Sequence, residues 1–141
     1  MVSQNQPNLR IPGPVPLPDE VLAVAGSQMI NHRGPEYAQM LDQMSSNLKT
    51  VFMTNNDVYF ITASGTGAME AALVNTISPG DKILSIIIGV FGERFAEIAD
   101  AYGADVHRLN FELGKAADLD AVRETIRENP QIKAVIFTHN E

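Results

Sequence analysis

The sequence predicts an α/β fold: a partial three-layer parallel sheet with flanking helices. Three observations carry that prediction. Apolar runs of strand type alternate with segments of helical period from residue 58 to residue 138, the order that winds a parallel sheet with right-handed crossovers. One run, Lys82-Ile83-Leu84-Ser85-Ile86-Ile87-Ile88, is almost continuously apolar, as a strand covered on both faces must be. A small-residue turn follows one of these runs, at residues 64–67, and a loop bounded by glycines follows another, at residues 89–92, and parallel sheets bind ligands beyond the carboxyl ends of their strands.

Composition sets the bounds. A chain of 141 residues, 45% apolar and 19% charged, can build one domain with a core and falls short of two. Seventeen acids against ten bases give a net charge of -7 with no basic block, which argues against a nucleic-acid surface built on clustered Lys and Arg. The absence of cysteine excludes disulfides and thiolate metal sites within this stretch. No apolar run reaches the length of a membrane span, and Met1 to Pro7 lacks the apolar segment of a signal peptide. A cytoplasmic protein is expected.

In chain order, Pro7, Pro12, Pro14, Pro16 and Pro18 deny backbone donors and predict an irregular arm over residues 1–18. Asp19 is placed to cap a short helix over 20–25 that stops near Gly26. Tyr37, Met40, Leu41, Met44 and Leu48 recur at helical spacing, predicting a helix over 36–51 with an ordinary Met-rich core stripe. Residues 54–57 form a turn cluster, and Val58 to Thr62 read as the first strand. A helix over 68–77 presents Ala68, Ala71, Ala72 and Val74 as a slim face, and Ser78-Pro79-Gly80-Asp81 ends it. The second strand covers 82–88. The next helix covers 93–102, with Phe95, Ile98, Ala99 and Tyr102 inward; a third strand follows over 104–109. Asp118 caps a helix over 119–128, with Leu119, Val122 and Ile126 inward, and a fourth strand covers 132–138.

Three segments then converge at one sheet edge: 64–67, 89–92 and 139–141. A strand-to-helix turn aims free N–H groups and the positive end of the helix dipole at one point. Ser64, Gly65, Thr66 and Gly67 therefore read either as an anion site, with hydroxyl donors and close backbone approach, or as a plain tight turn. Phe91, placed in a loop between Gly89 and Gly92, either stacks on a flat ring or packs beneath its own helix. His32, His107 and His139 are too dispersed for a metal site; His107 reads as structural, while His139 and Glu141 border the site. No Ser-His-Asp arrangement, P-loop or dinucleotide glycine pattern is present. The chain stops within three residues of its fourth strand, and no helix follows to cover that strand. It reads as a truncated chain.

Ala63-Ser64-Gly65-Thr66-Gly67-Ala68-Met69-Glu70-Ala71-Ala72-Leu73, followed by Ser78-Pro79-Gly80-Asp81, resembles the cofactor-phosphate segment of class V aminotransferases, fold-type-I pyridoxal-phosphate enzymes. The branch it resembles is that of the alanine–glyoxylate and serine–glyoxylate aminotransferases. Residues 11–14 (Ile-Pro-Gly-Pro), 31–37 (Asn-His-Arg-Gly-Pro-Glu-Tyr), 89–94 (Gly-Val-Phe-Gly-Glu-Arg) and 138–141 (Thr-His-Asn-Glu) agree in order. The resemblance implies that Ser64, Gly65 and Thr66 hold the phosphate of pyridoxal 5'-phosphate and that Phe91 stacks on its ring. It places Asn31 and His32 near the substrate entrance and gives Glu141 no role. The domains it implies are an arm over 1–18, N-terminal helices over 19–53, and an incomplete large domain over 54–141.

The implied reaction moves an amino group from alanine or serine to a small 2-oxo acid such as glyoxylate, in a homodimer. The family's cofactor-binding lysine and its ring-pairing aspartate fall downstream of residue 141. Lys49, Lys82, Lys115 and Lys133 match neither the position nor the role, so no catalytic residue is expected within this chain and it is expected to be inactive alone. Two other readings stand beside this one: a non-catalytic phosphate- or nucleotide-binding module, and a truncated homologue acting as an interaction protein. Some related proteins are labelled hydrogenase subunits, and a stretch without cysteine gives that chemistry no support.

Overall fold

The computed structural model describes residues 9–141; the expectation for Met1 to Pro7 lies outside them. The described residues form two compact units, divided between Thr62 and Ala63.

The first unit carries α1 (Asp19–Ala25) and α2 (Pro35–Val51). Asp19 is the first residue of α1 and not its cap, a position held by Pro18. Pro35 opens α2, where its missing N–H costs nothing. Glu36 in the first turn and Lys49 in the last complement the helix dipole, and Lys49 also pairs with Asp57 at 3.4 Å. The Met-rich stripe is not core: Met40 and Met44 are exposed while Tyr37, Leu41 and Leu48 are half-buried. This unit has no sheet among its described residues for that stripe to lie on.

The strand expected over 58–62 does not form. The stretch belongs to no helix or strand, and Tyr59 is 82% exposed. Its Val-Tyr-Phe-Ile composition favours extended backbone, but a strand exists only when a neighbour takes up its N–H and C=O groups. No ladder among the described residues includes it.

The second unit runs α3 (Gly65–Val74), β1 (Lys82–Ile87), α4 (Val90–Ala101), β2 (Asp105–Asn110), α5 (Leu119–Glu128), β3 (Ala134–Phe137). The sheet order is β2-β1-β3, and both pairings are parallel. Strand β1 is central, which its apolar run required. Lys82 pairs with Asp105 in register and Ile86 with Leu109 on one edge and Phe137 on the other. The crossovers from β1 to β2 and from β2 to β3 run in opposite directions across the sheet. The right-handed rule would put α4 and α5 on opposite faces, as a three-layer arrangement requires.

Ile83 and Ile136 face the α3/α4 side and join Leu73 and Ala99 in one buried cluster, with Phe95, Ile98 and Val106 packed against it. Leu84 points the other way and is equally buried. Leu73, not the alanine face with exposed Val74, anchors α3. On α4 the buried stripe is Gly92, Ala96 and Ala99, small residues that let the helix lie close on β1. Tyr102, expected inward, is 41% exposed. Its hydroxyl donates to Glu70 of α3, a bond that raises its pKa and ties the two helices. Leu119 and Ile126 of α5 are likewise more exposed than their spacing predicts.

Charges pin the strand starts. Lys82 meets Asp105 at 3.3 Å, and Lys133 meets Asp81 at 2.6 Å. Arg108 of β2 reaches Glu93 at 3.1 Å and also pairs with Asp100, both on α4.

The Lys133 hydrogen bond, with the Ser78 N–H, lowers the Asp81 pKa below the usual carboxylate range. A depressed folded-state pKa stabilises above the unfolded value and ceases to do so as pH falls through the folded one. The stability difference between the wild type and Asp81→Asn should therefore be full at pH 6 and shrink below about pH 4. Urea unfolding at the two pH values checks this. A difference that does not change with pH would contradict it.

Candidate functional site

Helices α3 and α4 point the same way. The carboxyl-terminal halves of both, through Leu73 and Ala99, pack on Ile83 near the start of β1. Their N-termini therefore lie toward the carboxyl ends of the strands, where parallel sheets hold ligands.

Two expected boundaries shift there. Helix α3 begins at Gly65 and α4 at Val90, so Gly65 to Gly67 and Phe91 to Gly92 are first helical turns and not loops. Each start adds unpaired N–H groups to the strand edge.

The two helix starts are chemically different. At α4 the Glu141 carboxylate accepts from the Phe91 N–H at 2.9 Å and from the Gly92 N–H at 2.6 Å. A negative carboxylate on the positive end of a helix is favourable, and both bonds are charge-assisted. At α5 the Asp118 side chain does the same for Asp120 and Ala121. At α3 no side chain caps the start: Ser64 is the N-cap residue and makes no side-chain cap bond. The first intrahelical bond there runs from the Ala68 N–H to the Ser64 carbonyl at 3.2 Å. The N–H groups of Gly65, Thr66 and Gly67 thus face an end with no internal acceptor in the cap position. Of the three helices in this unit, α3 is the one whose start is open to an external anion.

The glycines divide their work in a way that spacing alone does not separate. A Cβ at Gly65 would meet nothing within 4 Å, so the space in front of this turn is clear. A Cβ at Gly67 would stand 2.7 Å from the Ala63 Cβ; that glycine serves the packing of the turn itself. A Cβ at Gly89 would collide with the Glu141 carboxyl group, 2.7 Å from its Cδ. At Gly92 it would come within 3.2 Å of Glu141 Oε1 and Ile87 Cα and 3.3 Å of the Ile86 carbonyl. These two glycines make room for a carboxylate.

Phe91 is half-buried in the first turn of α4. The Arg94 guanidinium carbon sits 5.5 Å from its ring centroid, within cation–π range. Ser64 and Gly65 are exposed and Thr66 is half-buried. The structure thus joins two of the three expected segments by direct bonds, 89–92 and 139–141, and puts 64–67 at the start of α3. His139 is exposed at this edge. Asn31 and His32 belong to the other unit; the Asn31 side chain accepts from the Arg33 N–H at 3.0 Å in a local turn. Glu141 is the residue whose part the sequence left unassigned. The pair of glycines flanking Phe91 was its trace.

Against this geometry, a model of the aminotransferase class-V family matches residues 20–141. An uncharacterized aminotransferase of Methanocaldococcus jannaschii is 46% identical over 94% of this chain and 34% of its own length. The 42 kDa subunit of a soluble hydrogenase from Anabaena cylindrica is 41% identical over 94% of this chain and 35% of its own. Among solved structures, ureidoglycine–glyoxylate aminotransferase from Bacillus subtilis superposes with a TM-score of 0.82 at 32% identity, over 93% of this chain and 34% of that one. The chain spans about a third of the length of the relatives it matches.

The contrast between the glycines is measurable. Gly92→Ala forces a methyl against two backbone atoms and a carboxylate and should cost on the order of 1–3 kcal/mol. Gly65→Ala places its methyl in open space and should stay within about 0.5 kcal/mol of wild type. Urea-unfolding midpoints of the two variants decide it, and equal losses would contradict the assignment.

Proposed function

Because the chain belongs to the class-V aminotransferases, we propose that it supplies the phosphate cradle and ring platform of a pyridoxal 5'-phosphate-dependent aminotransferase. The reaction moves an amino group from a small amino acid, alanine or serine, to a small 2-oxo acid such as glyoxylate. The open start of α3 is the observation that carries this reading.

The residues present suit the cofactor's phosphate. A dianion at the α3 start would take the N–H groups of Gly65, Thr66 and Gly67 and the hydroxyls of Ser64 and Thr66, all of them donors. The α4 start competes poorly, because the Glu141 carboxylate already occupies the Phe91 and Gly92 N–H groups and brings negative charge there. Phe91, one residue inside α4, offers an aromatic face to a flat ring. When bound, pyridoxal phosphate supplies the electron-accepting ring and the carbonyl carbon through which the amino group passes. What this stretch contributes is binding and orientation: it holds the phosphate, backs the ring and sets the cofactor against the sheet edge. The reading carries a homodimer, resting on the family resemblance alone. Asn31 and His32 belong to the substrate entrance on the same ground. A glyoxylate-acting enzyme among the structural relatives supports the choice of acceptor.

Two measurements on the gene product that carries this chain test the proposal. Pyridoxal phosphate should bind far more tightly than pyridoxal, and Ser64→Ala with Thr66→Val should remove about tenfold or more of the difference. Supplied with the cofactor, alanine and glyoxylate, it should form pyruvate and glycine. Equal affinity for the two vitamers would overturn the phosphate site. Failure with every small donor would overturn the reaction.

A further inference from the structure

We propose that Glu141 is a positioning residue: its carboxylate locks the first turn of α4 and so fixes the ring of Phe91 as a platform. This rests on the cofactor reading above and adds a residue to which that reading gave no role.

Four observations converge on it. The carboxylate takes the N–H of Phe91 itself and of its neighbour Gly92, at 2.9 and 2.6 Å. Both of its oxygens are used, one for each donor, which fixes the orientation of the turn as well as its distance. Gly89 and Gly92 are the two positions in that turn where a Cβ would strike the carboxyl group, so the turn is shaped around it. Arg94 lies over the Phe91 ring at 5.5 Å. The backbone of Phe91 is therefore held from the β3 side and its ring from within α4.

The bond also crosses a long stretch of chain. Glu141 lies 50 residues from Phe91 in sequence, and the contact joins the segments leaving two adjacent parallel strands. A helix start that frays lets its first side chains swing, because its leading N–H groups have no intrahelical partners to restrain them. A bidentate carboxylate removes that freedom at the residue whose ring must keep its plane. It has a second effect. By filling the α4 start with negative charge, Glu141 repels a phosphate from that helix and leaves α3 as the anion site.

A cap that only stabilised the helix would change folding and leave ring-dependent binding alone, so the test separates the two. The gene product carrying this chain is titrated with pyridoxal phosphate as wild type, Glu141→Gln, Phe91→Ala and the double variant. Gln keeps the size but places an amide donor against one of the two N–H groups. Glu141→Gln should weaken binding about tenfold in the wild-type background and less than about twofold in the Phe91→Ala background. The same loss in both backgrounds would overturn the proposal, since Glu141 would then act apart from the ring. Glu141→Asp, carried through the same cycle, serves if the Gln variant does not fold. Amide hydrogen exchange at Phe91 and Gly92 is read without cofactor, and Glu141→Gln should accelerate it at both. If the wild type binds no pyridoxal phosphate, the cofactor reading falls, and the exchange readout still decides the lock: unchanged exchange at both amides overturns it.

Discussion

Strand β1 places the rest of the sheet unit. It has a parallel partner on each edge and buried residues on each face, Ile83 on one and Leu84 on the other. A strand in that position must satisfy every backbone group by pairing and every side chain by packing. Its register then decides what meets at the far end. With Ile86 opposite Phe137, the chain leaving β1 toward Gly89 and the chain leaving β3 toward Glu141 emerge side by side. The carboxylate that caps α4 is within reach because of that register.

From this follows an uneven distribution of charge at one edge of the sheet. The start of α4 is satisfied from within and the start of α3 is left open. Both ends carry the same dipole, yet only one can receive an anion from outside. The glycines reflect the division, since Gly65 faces clear space while Gly89 and Gly92 make room for Glu141. An external phosphate and an internal carboxylate are alternative solutions to the same problem of unpaired N–H groups. The carboxylate serves α4 here, and the proposed phosphate would serve α3.

How much of this could be read from the sequence depended on the range of the interaction. The run Ile83 to Ile87 declared a buried strand because continuous apolarity is a local property. That a helix follows Ser64 was legible for the same reason, although it starts at Gly65 and not at Ala68. The stretch Val58 to Thr62 misled because its propensity is local while a strand's existence depends on a partner elsewhere. The period of Met40 and Met44 showed a helix but not what covers it, and they are exposed. Phe91 was assigned to a loop because glycine on both sides resembles a turn. The structure makes those glycines part of a helix start built around a carboxylate 49 residues away from Gly92. That pairing is set by the register between β1 and β3, which no window of sequence contains.

The central claim is that α3 receives the cofactor's phosphate while α4 keeps Glu141. A crystal structure of the gene product grown with pyridoxal phosphate tests it directly. The account predicts phosphate oxygens on the N–H groups of Gly65 and Thr66, with the Glu141 carboxylate still on Phe91 and Gly92. A phosphate seated at the start of α4 with Glu141 displaced, or a cofactor bound away from both helices, would contradict it.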